Sequence, residues 1–125
     1  MSKIKVEKSR LKICFLVTGF GGGGAEKQCA LLINSLQLFK DVSIQLIYFE
    51  DGVNSSRIIF NGIESCKIPF SSYYNPLNIY RVEKLIRKSK PDIIFSWLPV
   101  ADIYAFVIKL RYRGIKWIVA ERDSH

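Results

Sequence analysis

Apolar and polar positions alternate along this chain in two distinct periods. Residues 11–18, Leu-Lys-Ile-Cys-Phe-Leu-Val-Thr, form a nearly continuous apolar run, as expected of a parallel strand covered on both faces. Residues 25–39 then place Ala25, Cys29, Leu32, Ile33, Leu36 and Phe39 at helical spacing, which predicts a helix with one apolar face. Strand character returns at 42–49, with Ile44, Leu46 and Tyr48 on one side, and Asp51-Gly52 marks a turn. Between 53 and 74 the pattern is less regular: a short strand at 66–68 stops at Pro69, and 71–76 is loop-like. A helix fits 77–89, where Ile79, Val82, Leu85 and Ile86 line one side and basic residues the other. A strand at 93–97 follows Pro91-Asp92, and a helix over about 101–113 carries Ala101, Tyr104, Ala105, Ile108 and Tyr112. Gly114 is the expected residue just past that helix end, and residues 115–120 form the last strand.

Strands alternating with crossover helices predict a Rossmann-like parallel sheet with helices on both faces. In such sheets ligands sit at the carboxyl ends of the strands, where the strand order reverses. That rule brings the segment after the first strand, residues 97–102 and residues 121–125 to one rim.

The first of these segments is the most distinctive. Five of the eight glycines fall between positions 19 and 24, in the run Phe20-Gly21-Gly22-Gly23-Gly24-Ala25-Glu26. Between a strand and a helix start, bare backbone N–H groups can approach an anionic ligand, and the helix dipole adds positive potential there. A tight turn alone needs fewer glycines, and four in a row are costly to order. The string Gly19-x-Gly21-x-x-Gly24 also satisfies the dinucleotide fingerprint, with Glu50 and Asp51 after the next strand as candidate ribose ligands. An NAD(P)-dependent oxidoreductase is therefore an alternative reading. A non-catalytic basic α/β binding module is another.

Composition narrows the choice. At 125 residues the chain is one domain at most, and 49% apolar residues supply its core. No apolar run reaches the ~18–20 residues needed to span a bilayer, and the basic N-terminus lacks the cleavage pattern of a signal peptide. Cys14, Cys29 and Cys66 show no CxxC pairing, so they read as buried free thiols of a cytoplasmic protein. The single histidine, His125, offers no metal-ligand set, and no metal is expected. The formal charge of +8 is carried by the N-terminal residues, by Arg81, Lys84, Arg87, Lys88 and Lys90, and by Lys109, Arg111, Arg113 and Lys116. Such a spread serves solubility, or attraction to an anionic membrane surface or a phosphorylated acceptor. No recognised nucleic-acid motif accompanies it.

Three segments in order carry a family resemblance: Gly23-Gly24-Ala25-Glu26 opening a helix, Lys90-Pro91-Asp92-Ile93-Ile94 leading into Ser96-Trp97-Leu98, and Val119-Ala120-Glu121-Arg122. Together they resemble the N-terminal domain of a family 4 glycosyltransferase, which has the two-domain GT-B fold. The resemblance runs from about Leu11 to His125, after a basic tail at 1–10. It implies a retaining enzyme that transfers a sugar from a nucleotide-sugar to a glycan or lipid-linked acceptor in surface polysaccharide or glycoconjugate synthesis. It also implies a peripheral position on the inner face of the plasma membrane. Gly22, Gly23, Gly24 and Glu26 would approach the donor phosphates and sugar. Asp102 is the candidate catalytic residue, with a helix N-cap as its structural alternative. Trp97, Glu121 and Arg122 would lie on the acceptor side, although a strand-end Trp also suits a core. Ser124 and His125 share that predicted rim. Nothing matches the family's donor-binding C-terminal domain. The expectation is an incomplete N-terminal half, inactive alone.

Overall fold

The computed structural model describes residues 11–19, 24–50, 52, 57–58, 62–68 and 76–120. Eight elements follow in chain order: β1 (Leu11–Gly19), α1 (Gly24–Leu36), β2 (Val42–Glu50), β3 (Glu64–Lys67), α2 (Pro76–Ser89), β4 (Ile93–Trp97), α3 (Pro99–Arg111) and β5 (Lys116–Val119). The five strands form one sheet in the order β3-β2-β1-β4-β5, and every neighbouring pair is parallel. This is the Rossmann-like architecture that the alternating periods predict.

The strand order explains the two helix layers. From β1 to β2 the chain moves one way across the sheet, and from β3 through β4 to β5 it moves the other way. Right-handed crossovers then send α1 to one face and α2 and α3 to the opposite face. The first face buries Ile13, Phe15, Val17, Ile44, Leu46 and Trp97 against Cys29, Ala30 and Ile33 of α1. The second buries Cys14, Leu16, Ile47, Phe49 and Ile94 against Val82 and Ile86 of α2 and Tyr104 and Ile108 of α3. Phe15, Phe95 and Trp97 stack in succession along the first face, each pair with centroids 5.3 Å apart. β1, paired on both edges, is buried from Ile13 through Thr18 because both layers need its side chains.

Element ends differ from the sequence pattern where local chemistry intervenes. α1 stops at Leu36 rather than 39, because Leu38 N–H and Phe39 N–H donate to the carbonyls of Ser35 and Leu36 in a tightened last turn. Phe39 therefore leaves the apolar face and is exposed. α3 begins earlier than periodicity suggests, with Pro99 in its first turn, where a missing N–H costs nothing. Its C-cap is Tyr112, so Gly114 lies one residue beyond the expected position, and no described glycine has positive φ. Instead of a glycine cap, Lys109 Nζ donates to the carbonyls of Arg113 and Ile115 at 2.8 and 2.6 Å. Just past α2, Lys90 has φ 52°, and its N–H donates to Ile86 O at 2.8 Å before Pro91 prevents further helix. The two helices of that face are tied by Glu83 in the middle of α2, which accepts from Tyr112 Oη at 3.1 Å and pairs with Arg111 Nε at 2.7 Å at the end of α3.

Candidate active site

The order of strands reverses between β1 and β4, which are neighbours although far apart in sequence. Their carboxyl ends, Gly19 and Trp97, open onto the starts of α1 at Gly24 and α3 at Pro99. Two helix N-termini thus meet this rim, each bringing the positive end of a helix dipole. An anion placed here would be attracted without any cationic side chain.

Gly24 is the exposed first residue of α1, and Glu26 is half-buried in its first turn. Gly22, Gly23, Glu121, Arg122, Ser124, His125 and Asp51 lie outside the described residues. Gly19 has a reason of its own to be glycine. A Cβ there would come within 3.2 Å of Glu50 Cβ and 3.4 Å of Glu50 O on the paired strand. Close strand packing therefore explains this member of the dinucleotide string without a cofactor.

Asp102 sits in the first turn of α3 but is not its N-cap. Leu98 holds the N-cap position and offers no side-chain bond. The Asp102 carboxylate is instead engaged by the strand beneath it. Trp117 Nε1 of β5 donates to Ser96 Oγ at 2.9 Å, and Ser96 Oγ donates to Asp102 Oδ1 at 2.6 Å. Three elements are thereby joined through a hydroxyl that is completely buried. The sequence motif contains Ser96 but gives it no site role, and Trp117 stands outside every motif. The available signal was a lone hydroxyl in an apolar strand, Ile93-Ile94-Phe95-Ser96-Trp97.

Trp97 belongs to the core. It is 6% exposed, stacks on Phe95 and packs on the α1 side of the sheet. Its ring is not open for sugar stacking, because the strand's alternation turns it inward. Its Nε1 is buried and has no hydrogen-bond partner among the described residues. The next residue, Leu98, has φ 81° and ψ 151°, a region that is nearly reserved for glycine and costs about 1–3 kcal/mol. Pro99 accounts for the extended ψ but not the positive φ. Among the described residues, an indole N–H without a partner and a strained backbone thus fall side by side at this rim.

Cavities lined by described residues lie at the opposite edge. One of about 310 Å³ is lined by Lys12, Gln45, Glu64, Cys66, Leu85 and Ser89. Part of its polar lining is already paired: Lys12 Nζ donates to Ser89 O at 3.1 Å, and Ser89 Oγ to Gln45 Oε1 at 2.8 Å. Burial pushes the Cys14 thiol up to about 12 and raises Cys29 further still, so neither is a thiolate nucleophile. All three cysteines are free.

No family model and no curated protein matches this chain. Solved structures do. A glycosyltransferase from Rickettsia africae superposes with a TM-score of 0.65 at 14% identity, over 88% of this chain and 29% of that one. The lipopolysaccharide outer core galactosyltransferase WaaB gives 0.61 at 15% identity, over 87% and 32%. MurG from Acinetobacter baumannii gives 0.62 at 13%, over 87% and 34%. The likeness is one of fold, and it matches the GT-B glycosyltransferase domain that the sequence resembles. The chain spans about a third of the length of each of these proteins.

Proposed function

We propose that this chain is the acceptor-side part of a retaining family 4 glycosyltransferase. The full enzyme would move a sugar from a nucleotide-sugar to a glycan or lipid-linked acceptor at the cytoplasmic face of a membrane. The observation that carries this reading is the glycine run set between β1 and α1, at the point where the strand order reverses. The same fold occurs in three glycosyltransferase structures.

In this reading the leaving nucleotide diphosphate sits against Gly22, Gly23 and Gly24. Backbone N–H groups and the α1 dipole stabilise the charge that grows on it as the glycosidic bond to the donor breaks. Such fixed dipoles need no metal. Glu26 orients the first turn of α1. Asp102 is held by Ser96 at a set position over β4, from which it fixes the reacting sugar. Glu121 and Arg122 contribute to the acceptor side, and a guanidinium there would take an acceptor phosphate in bidentate fashion.

Binding is the direct test for the 125-residue chain. Amide spectra of isotope-labelled protein are followed during titration with nucleotide-sugars, a water-soluble polyprenyl-phosphate glycan analogue, and NADPH. Shifts at Gly24, Glu26, Asp102 and the Trp97 indole with a sugar-bearing compound, lost in Gly23→Trp, support the proposal. The same peaks moving with NADPH alone would transfer the site to an oxidoreductase. No movement at the rim with any of them would reject a ligand site there.

A further inference from the structure

The outer surface of the α2–α3 layer carries two exposed stripes of distinct chemistry. On α2, Leu77, Tyr80, Arg81, Lys84, Arg87 and Lys88 recur at three- and four-residue spacing along one stripe. All six are exposed. The opposite side of the same helix, Asn78, Val82, Glu83 and Ile86, faces the sheet and is buried. On α3, Ile103, Phe106 and Leu110 form a second stripe, each half or more exposed, directly opposite the buried Ala101, Tyr104, Ala105 and Ile108. The helices are neighbours, locked by the Glu83 contacts to Arg111 and Tyr112. Their two stripes therefore lie on one face: five large apolar side chains beside a row of cations.

Charge decides what such a face can meet. Among the described residues, none of Lys84, Arg87 and Lys88 makes an ion pair. Glu83, the sole carboxylate of α2, is turned inward onto Arg111. A second copy of this chain would set like charges against each other across a symmetric contact. Water solvates the cations readily but gives no reason to expose Leu77, Tyr80, Ile103, Phe106 and Leu110 together. An interface that is apolar at one depth and anionic at another accommodates both sets. No described helix is long and apolar enough to cross a membrane, so such a contact would lie on the surface.

We propose that the outer face of α2 and α3 docks on an anionic phospholipid bilayer. Arg81, Lys84, Arg87 and Lys88 reach the headgroup phosphates, while Tyr80, Phe106 and Leu110 enter the interfacial zone. This rests on the membrane-associated reading above and gives it a location. It would hold the strand-end rim beside the lipid surface, within reach of an acceptor carried there.

Flotation of the chain with vesicles tests the assignment. Phosphatidylcholine vesicles containing phosphatidylglycerol are compared with pure phosphatidylcholine, at low and high salt. The chain should float with the anionic vesicles and be released by salt. K84E/R87E should weaken partitioning by roughly 25-fold, at about fivefold for each cation lost. F106S/L110S should weaken it even at low salt. The matched control K27E/K40E, on α1 and the turn after it, should bind as the parent chain does. Equal loss in the control, or no loss in K84E/R87E, would overturn the surface assignment, with folding checked by circular dichroism throughout. Retention on single-stranded RNA without flotation would reassign the cations to nucleic acid. A concentration-dependent dimer abolished by F106S/L110S, again without flotation, would reassign the apolar stripe to self-association. The two proposals fail separately: rim shifts without flotation remove only the docking face, and flotation without rim shifts removes only the sugar-transfer reading.

Discussion

Ser96 Oγ donates a 2.6 Å hydrogen bond to Asp102 Oδ1, across the strand end from which α3 departs. Because Trp117 Nε1 donates to the same hydroxyl, Ser96 is both acceptor and donor in a buried relay. The geometry identifies Asp102 as a positioned side chain and removes it from the N-cap role.

Ser96→Ala should destabilise the chain by about 1–3 kcal/mol, since it strands the Trp117 N–H and the Asp102 carboxylate together. Asp102→Asn retains an oxygen that can accept from Ser96 and should cost about 1 kcal/mol or less. Urea unfolding of both variants decides the matter: equal, near-zero effects would show that the relay carries no stability.

Trp97→Phe removes an indole N–H that is buried without a partner among the described residues while keeping the ring stack on Phe95. Deleting an unsatisfied donor recovers its desolvation cost, about 1–3 kcal/mol, against the loss of some aromatic packing. The net expectation is a melting temperature no lower than that of the parent chain. A clear drop would mean that the N–H is satisfied in solution.

Lys90 occupies the left-handed region at the end of α2, with φ 52°. Glycine adopts that conformation without the Cβ clash that other residues suffer. Lys90→Gly should therefore raise stability by about 0.5–1 kcal/mol, measured by urea midpoint. Lys90→Val, β-branched at the same position, should lower it.

The Cys14 thiol moves from its ordinary value of 9.0 to about 12, chiefly because burial disfavours the thiolate. The folded state therefore holds its proton where the unfolded chain releases it. This contribution to stability is intact below pH 9 and is lost as pH rises from there towards about 12. Urea midpoints across that window should fall less steeply for Cys14→Ala than for the parent chain. Parallel curves would show that Cys14 makes no such contribution.

Much of the fold was legible because burial on two faces writes itself into periodicity. Residues 11–18 and 93–97 read as strands since a central parallel strand tolerates almost no polar side chain. That the ends of β1 and β4 share the carboxyl-end rim followed from element order; that the strand order reverses between them did not. Ends were less legible. α1 was read through Phe39, which the tightened turn after Leu36 excludes, and Gly114 was read as a cap that Lys109 supplies differently. Those outcomes depend on hydrogen bonds that competing residue types can make equally well.

By itself the sequence determined the alternating strands and helices, the glycine run at a strand-to-helix junction and the cationic side of α2, because each is a local pattern of polarity or conformational freedom. Only the tertiary structure decided the fates of single side chains. Trp97 became core because its strand's alternation points it at α1. Asp102 became part of a relay because β5 lies beside β4 and brings Trp117 to Ser96. The stripes of α2 and α3 became one face because right-handed crossovers place both helices on the same side of the sheet. Contacts between residues distant in sequence are fixed by strand order and packing, and neither is encoded in a local pattern.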